Sequence, residues 1–406
     1  MTIWYNYRDR IVKKIFGIFK NYQFRYLDFR LLLYVVVLTI LGILVIGSAS
    51  DPADGNQKKQ IVGMCLGLVL MIITALISYK FIFKFYWIIF VVNALLLLSV
   101  TFLGSNHMGA KRWIEISSIR LQPSEMTKIL MVIFLAAFIQ KNLENLNTLR
   151  FLISFAILAG FPLLLIFKQP DLSTTIVIFS TFCLIIFLSG LSLKIVISIM
   201  TVCAPVVAVL IYLIVTLPAD KNIIQKYQYD RIVGFYKEDK EGEERDPEKE
   251  KLMYQQENSV LAIGSGGLNG KGLNNNTITS VKNGNFLSEP HTDFIFTIVG
   301  EELGFIGCVS VLLLILLIVF ECIFVGGHAS DLQGKLFAYG FGCLIAIQTI
   351  INVSVVTMLI PNTGLTLPFV SYGLSSLVSL YLGIGIILNI GMQRSKNIYE
   401  EVRMWI

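Results

Sequence analysis

Charge is scarce in this sequence. Of 406 residues only 15% are Asp, Glu, Lys or Arg, while 55% are hydrophobic. Water-soluble domains carry about 25% charged residues, so the shortage argues against a soluble enzyme, a disordered tail or a repeat solenoid. Histidine is rarer still, and His107, His291 and His328 are too dispersed to suggest a metal cluster. The cysteines, Cys65, Cys183, Cys203, Cys308, Cys322 and Cys343, all fall in apolar runs. They read as small buried hydrophobes, not as a disulfide framework or a metal site. No basic stripe stands apart from the segments flanking those runs, so the net charge of +6 gives no sign of nucleic-acid binding. The alternating segments of about ten residues that build a spanning β-barrel are missing too.

What is present is continuous apolar sequence, with a mean hydropathy of +0.73. Runs of about 18 or more apolar residues recur, and lipid cannot satisfy backbone polar groups, so they are expected to be helices. The expected fold is an all-α polytopic membrane protein of about ten spans, at 31–49, 60–79, 85–103, 124–141, 151–167, 172–190, 194–216, 294–325, 335–359 and 367–392. The eighth is long for one crossing, and its start is expected in the headgroup region or packed against protein. Residues 1–30 hold seven Lys/Arg ahead of the apolar run, with no small-residue cleavage site behind a short core, so they do not read as a secretory leader.

Positive residues orient the chain. With the N-terminus inside, the cytoplasmic segments carry sixteen Lys/Arg and the short outer loops six. Both termini are therefore expected in the cytoplasm. The chain divides into a basic N-terminal segment (1–30), a membrane domain (31–392) and a cytoplasmic tail (393–406). Between spans seven and eight, residues 217–291 form one large extracytoplasmic loop. Inside it, 237–257 hold nine acids and five bases and read as a solvated insertion, with cation binding as the alternative. The run from Ala262 to Gly272 is too Gly-rich for a helix and too patterned for a linker, which suggests a backbone-exposing turn. It lacks the Gly-Lys-Ser/Thr ending of a phosphate loop.

Ionisable residues near apolar helices carry the chemistry, because each is costly there. Glu125 and Lys128 lie three apart on the fourth span and share one helix face. They read either as a structural ion pair or as the polar wall of an outward cavity. Before them stand Lys111, Arg112 and Arg120, three cations on the outer side against the positive-inside trend. An anionic partner such as phosphate explains them, and so does snorkelling toward headgroups. Ser124 after Pro123 fits a helix cap, and Glu125 suits the helix dipole. Asp171 opens the sixth span and reads as a cap or a site residue. Asp293 opens the eighth beside His291 and Glu289, where the long loop re-enters the membrane. A carboxylate partly desolvated there is suited to base chemistry.

In combination, GAKRWI (109–114), LQPSE (121–125), QPDL (169–172), AIGSGGLNGKG (262–272), HTDFIF (291–296), GEELGFIG (300–307) and LPFVSYG (367–373) resemble the SEDS family of bacterial membrane proteins, RodA, FtsW and SpoVE. The resemblance spans nearly the whole chain, from LDFR at 27–30 onward. It implies a peptidoglycan glycosyltransferase that polymerises lipid II, a disaccharide-pentapeptide on undecaprenyl pyrophosphate, into a nascent glycan strand at the outer face of the bacterial cytoplasmic membrane. It also implies a class B penicillin-binding protein, a single-span transpeptidase, as partner. Carried over by motif, Asp293 is the catalytic carboxylate, Glu125 and Lys128 the functional pair, and Arg112, Arg120 and Asp171 residues of the central cavity, with Lys111 and His291 beside them. Arg120 before LQPSE leans toward the elongation branch. Leu374 replaces a usual Gly, Ser173 another, and Asn258 a usual Gln. No cofactor is fixed by the sequence; the leaving diphosphate is expected to be steadied by Arg112 and Arg120, with a divalent cation, Mg2+ or Mn2+, as an open addition. The rival functions are a flippase for lipid II and a scaffold that only recruits the transpeptidase.

Overall fold

The computed structural model describes residues 22–107, 110–116, 119–217, 247–274 and 289–394, with positions 229, 235, 280, 281 and 287 besides. Most of the basic N-terminal segment, most of the 217–291 loop with the first part of its acidic run, and the tail beyond Arg394 lie outside the described residues.

Twelve helices are numbered here in chain order: α1 (Phe29–Ala49), α2 (Asn56–Leu76), α3 (Tyr79–Lys84), α4 (Tyr86–Leu103), α5 (Pro123–Lys141), α6 (Leu149–Lys168), α7 (Leu172–Leu188), α8 (Leu193–Thr216), α9 (Pro247–Ser265), α10 (Ile295–Gly327), α11 (Leu332–Val356) and α12 (Leu374–Met392). Each expected span falls on one of them. Among the described residues, eight are long and apolar enough to cross a membrane, and α7 is a shorter apolar helix. The bundle is sorted by burial. Helices α5 and α12 are the most enclosed, while α4 turns most of its surface outward, as an apolar helix facing lipid should.

Polar contacts gather the loops at two ends. At one end Arg112 reaches Gln169, Ser375 reaches Arg120, Asn56 lies 3.4 Å from His291, and the Tyr372 N–H donates to the His291 carbonyl. At the other, the Gln23 N–H donates to Met392, Tyr79 pairs with Ser330 and Ser78 with Gln393. The loops expected outside thus meet one another, and so do those expected inside.

Four expectations need correction. The expected all-α fold has one small exception before α5: β1 (Ser105–His107), β2 (Ala110–Ile116) and β3 (Ile119–Leu121) form an antiparallel ribbon, with Glu115 facing Arg120. Period-two alternation through Ile114 and Ile116 was there to be read. The Gly-rich stretch is helical as far as Ser265, because α9 runs through Ala262 and Gly264 before the turn begins. Ser124 does not cap α5; Gln122 takes that position, with Pro123 just inside the helix. Cys65 and Cys183 are exposed on the bundle surface, whereas Cys308 and Cys322 are buried as expected.

The long eighth span is resolved by a break. Helix α10 loses helical geometry at Gly304 (φ 67°, ψ −163°), and residues 295–302 before it are buried in protein. The Gly-rich turn closes on this break. Lys271 and Gly272 donate backbone N–H groups to the Glu301 and Glu302 carbonyls (3.0 and 2.9 Å), and Phe305 and Ile306 return bonds to Gly267 and Leu268. The freed backbone groups of a broken helix are therefore satisfied by a loop, as burial demands. The two carboxylates are held as well: Glu301 by Lys271 Nζ at 2.8 Å and the Val281 N–H, Glu302 by Ser48 Oγ and the Asn274 N–H.

A Cβ on Gly304 would lie 2.3 Å from the Gly270 nitrogen, at a φ that L-residues avoid. Gly304→Ala is expected to cost at least about 1–3 kcal/mol, read as a lowered melting temperature of the detergent-purified protein. An unchanged melt would refute the role given to this turn.

Between α2 and α12 the backbones nearly touch. A Cβ on Gly385 would sit 2.5 Å from the Met71 carbonyl, and one on Gly67 would strike the Tyr381 ring. Small residues allow this approach, which maximises dispersion contact where no hydrophobic drive exists between helices in lipid. Leu374, where the resembled family has Gly, packs toward Gly63 of the same seam.

Candidate functional site

The site lies at the loop-rich end built by the ribbon, the α6–α7 turn, residues 289–293 and the segment 361–373. That segment is irregular because Pro368 cannot donate and Phe369 has φ 64°. Helix α12 therefore starts at Leu374, seven residues later than the expected 367.

Asp293 occupies the turn before α10. Phe294 is the N-cap position, and the cap has no side-chain hydrogen bond, so Asp293 is not a helix cap. Its side chain is half-buried. Three consecutive carbonyls of the turn are held from elsewhere: His291 by the Tyr372 N–H (2.9 Å), Thr292 by Ser371 Oγ (2.7 Å) and Asp293 by Asn352 Nδ2 (2.9 Å). His291 lies against the Tyr372 ring at 5.4 Å and within 3.4 Å of both Asn56 and the Glu289 carboxylate. Burial pushes the imidazole below its ordinary pKa, against the pull of the Glu289 and Asp54 charges.

Near the start of α5, Glu125 and Lys128 form an ion pair at 2.8 Å, with side chains only 6% and 3% exposed. Lys128 also donates to Gln348 Oε1 (2.9 Å), and Gln348 donates to the Thr366 carbonyl (2.8 Å). Glu125 Oε2 has no hydrogen-bond partner among the described residues.

Asp171 is a cap, accepting from the Thr174 N–H, and it also accepts from Gln122 Nε2 (3.2 Å) and Ser124 Oγ (3.3 Å). Ser173, the second departure from the resembled motifs, donates to the Thr363 carbonyl and so ties this turn to the 361–373 segment. Arg112 spans the same turn, with hydrogen bonds to the Gln169 and Pro170 carbonyls. Arg120 pairs with Glu115 across the ribbon at 3.1 Å while largely exposed, and its carbonyl accepts from Ser375 Oγ (3.1 Å). Lys111 is exposed on β2, where its backbone faces Asn106. Asp293, His291 and Arg120 thus gather around the 371–375 corner, with Glu125 and Lys128 linked through α11. Asp171 and Arg112 meet at the α6–α7 turn, which Gln122 ties to Ser375 of that corner, and Lys111 stands apart. Sequence reasoning missed Gln348, Asn352 and Ser371. Gln348 and Asn352 are uncharged, yet two buried amides four apart on an apolar helix are a signal of the same kind.

This geometry has relatives. The model of the cell cycle protein family FtsW/RodA/SpoVE matches residues 29–396. The peptidoglycan glycosyltransferase MrdB of Escherichia coli K12 is 31% identical over 376 residues, covering 91% of this chain and 94% of its own. A probable peptidoglycan glycosyltransferase FtsW from Buchnera aphidicola is 33% identical over 386 residues, covering 91% and 95%. Among solved structures, a chain of a peptidoglycan synthase complex that coordinates polymerization and crosslinking superposes with a TM-score of 0.73 at 25% identity, covering 91% of this chain and 98% of that one. The rod shape determining protein RodA of Thermus thermophilus shares the fold, with a TM-score of 0.63.

Proposed function

The chain belongs to the FtsW/RodA/SpoVE family and is a multi-pass peptidoglycan glycosyltransferase of the cytoplasmic membrane, and from that premise we propose that it polymerises lipid II at the outer face with Asp293 as general base. The strand it makes serves cell elongation or division.

The reaction joins an acceptor sugar hydroxyl to the anomeric carbon of a lipid-diphosphate donor. The hydroxyl loses its proton as the carbon–oxygen bond to diphosphate breaks. A carboxylate beside the acceptor takes that proton, and Asp293 is suited to it by half-burial at a fixed turn. The diphosphate leaves already activated and needs its charge neutralised more than it needs a proton. Arg120, exposed beside the 371–375 corner, is the cation suited to that role. Arg112, bonded to two backbone carbonyls, supports the floor formed by the Asp171 turn. Glu125 and Lys128 hold α5 to α11 beneath it. Displacement at the anomeric carbon inverts its configuration.

Among the described residues no group of three or more His, Cys, Asp or Glu side chains is placed to hold a metal ion. The proposed partner is a class B penicillin-binding protein, supported by the likeness to a chain of a synthase complex that also crosslinks.

The observation that carries the reading is the clamp on His291-Thr292-Asp293, three carbonyls fixed by α11 and the 371–372 corner. Catalysis by a positioned base requires such fixity. Purified protein in liposomes holding labelled lipid II, with and without the transpeptidase, is expected to yield glycan polymer. Scrambling of the label between leaflets with no polymer would favour a flippase instead.

A further inference from the structure

Resting on Asp293 as the base, we propose that Asn352 is a positioning residue, which together with Ser371 aims the Asp293 carboxylate by holding its backbone. The turn at 289–293 has little of its own to fix it. The N-cap of α10 makes no side-chain hydrogen bond; within the turn Thr292 bonds back to the Glu289 carbonyl and His291 lies against the Glu289 carboxylate. The remaining constraint comes from outside. Asn352, 1% exposed in α11, donates from one nitrogen to two carbonyls, Asp293 at 2.9 Å and Leu365 at 2.6 Å. Ser371, also buried, donates to Thr292 and accepts from the Leu367 N–H, both at 2.7 Å.

The arrangement is a staple between three segments. Gln348, one turn earlier on α11, takes the Thr366 carbonyl, next to the Leu365 carbonyl taken by Asn352. Helix α11 therefore presents two amides to two consecutive carbonyls of the irregular segment. The second amide reaches past it to the residue that carries the proposed base. Such a bond does not touch the carboxylate. It fixes the Cα from which the carboxylate hangs.

Asn352 serves this purpose at a cost to the fold. Its Oδ1 is buried with no partner among the described residues, and an unpaired buried acceptor is unfavourable. Both donated bonds end on irregular backbone beside the site. Replacement by Leu removes the unpaired oxygen along with the two bonds, so folding and turnover are expected to separate.

The test uses the full chain with its transpeptidase, on lipid II. Asn352→Leu and Ser371→Ala are compared with wild type and with Asp293→Asn. For both positioning variants kcat is expected to fall about 10- to 100-fold, the loss typical of a reacting group displaced by about 1 Å. KM and the apparent pKa of the kcat profile stay at wild-type values, since neither the substrate contacts nor the carboxylate's own surroundings change. Asn352→Gln, which keeps the donor on a longer stem, recovers part of the loss. Wild-type kcat in both variants overturns the proposal, and so does a matching rise in KM or a shifted pH profile. Should Asn352→Leu not fold, Ser371→Ala decides by the same readouts. An active Asp293→Asn would instead remove the base assignment on which the proposal rests.

Discussion

Asp293→Asn is expected to lower polymerisation of lipid II by about 10²–10⁴-fold, the range for a lost general base. The substitution keeps the side-chain shape and removes the proton acceptor. It also keeps the backbone carbonyl through which Asn352 holds the residue. The variant should therefore insert, purify and melt like wild type, and the defect should lie in kcat. Time courses of glycan product from matched amounts of folded protein measure this directly. Polymer at near wild-type rate would end the assignment. A variant that also melts early would show that the carboxylate carries a structural duty as well.

Lys128→Met carries the largest expected effect on stability. It leaves the Glu125 carboxylate, 5% exposed, without its ion-pair partner. Stranding one member of a buried pair costs about 3–5 kcal/mol. The loss reaches further here, because Lys128 also donates to Gln348, whose amide holds the Thr366 carbonyl. A strong drop in melting temperature and in yield of inserted protein is expected. Adding Glu125→Gln to Lys128→Met removes the stranded charge and should recover most of the stability, since buried pairs are often replaceable by apolar or neutral groups of similar volume. Turnover should stay low in the double variant, because Gln348 loses the Lys128 donor that orients the amide holding the Thr366 carbonyl. Full recovery of turnover would reduce the pair to a structural strut.

The helices were legible because lipid imposes a long apolar run on every span, and the pattern survives without knowledge of packing. Charge bias grouped the loops into the same two sets that the contacts bring together. Of the two readings of Asp171, helix cap or site residue, the structure shows the cap. The break at Gly304 was visible only as excess length. Its cause, a loop more than thirty residues upstream that pairs with the broken backbone, is a tertiary fact with no local pattern. The ribbon was missed because attention went to its cations, while the alternating Ile114 and Ile116 went unweighed. Asn352 and Gln348 were missed for a physical reason too. An amide in an apolar helix costs less than a charge and draws less notice, yet it can hold two carbonyls at once. Ser124 illustrates the opposite error: a good capping residue stands two positions past the cap, Gln122, and its hydroxyl goes to Asp171 instead.

The near-contact of α2 with α12 limits how reactants can arrive. Where one helix's backbone would collide with a single added carbon on the other, no acyl tail can slip through sideways. Any polyprenyl-borne sugar reaching the Asp293 corner from the bilayer must find its doorway on another flank of the bundle.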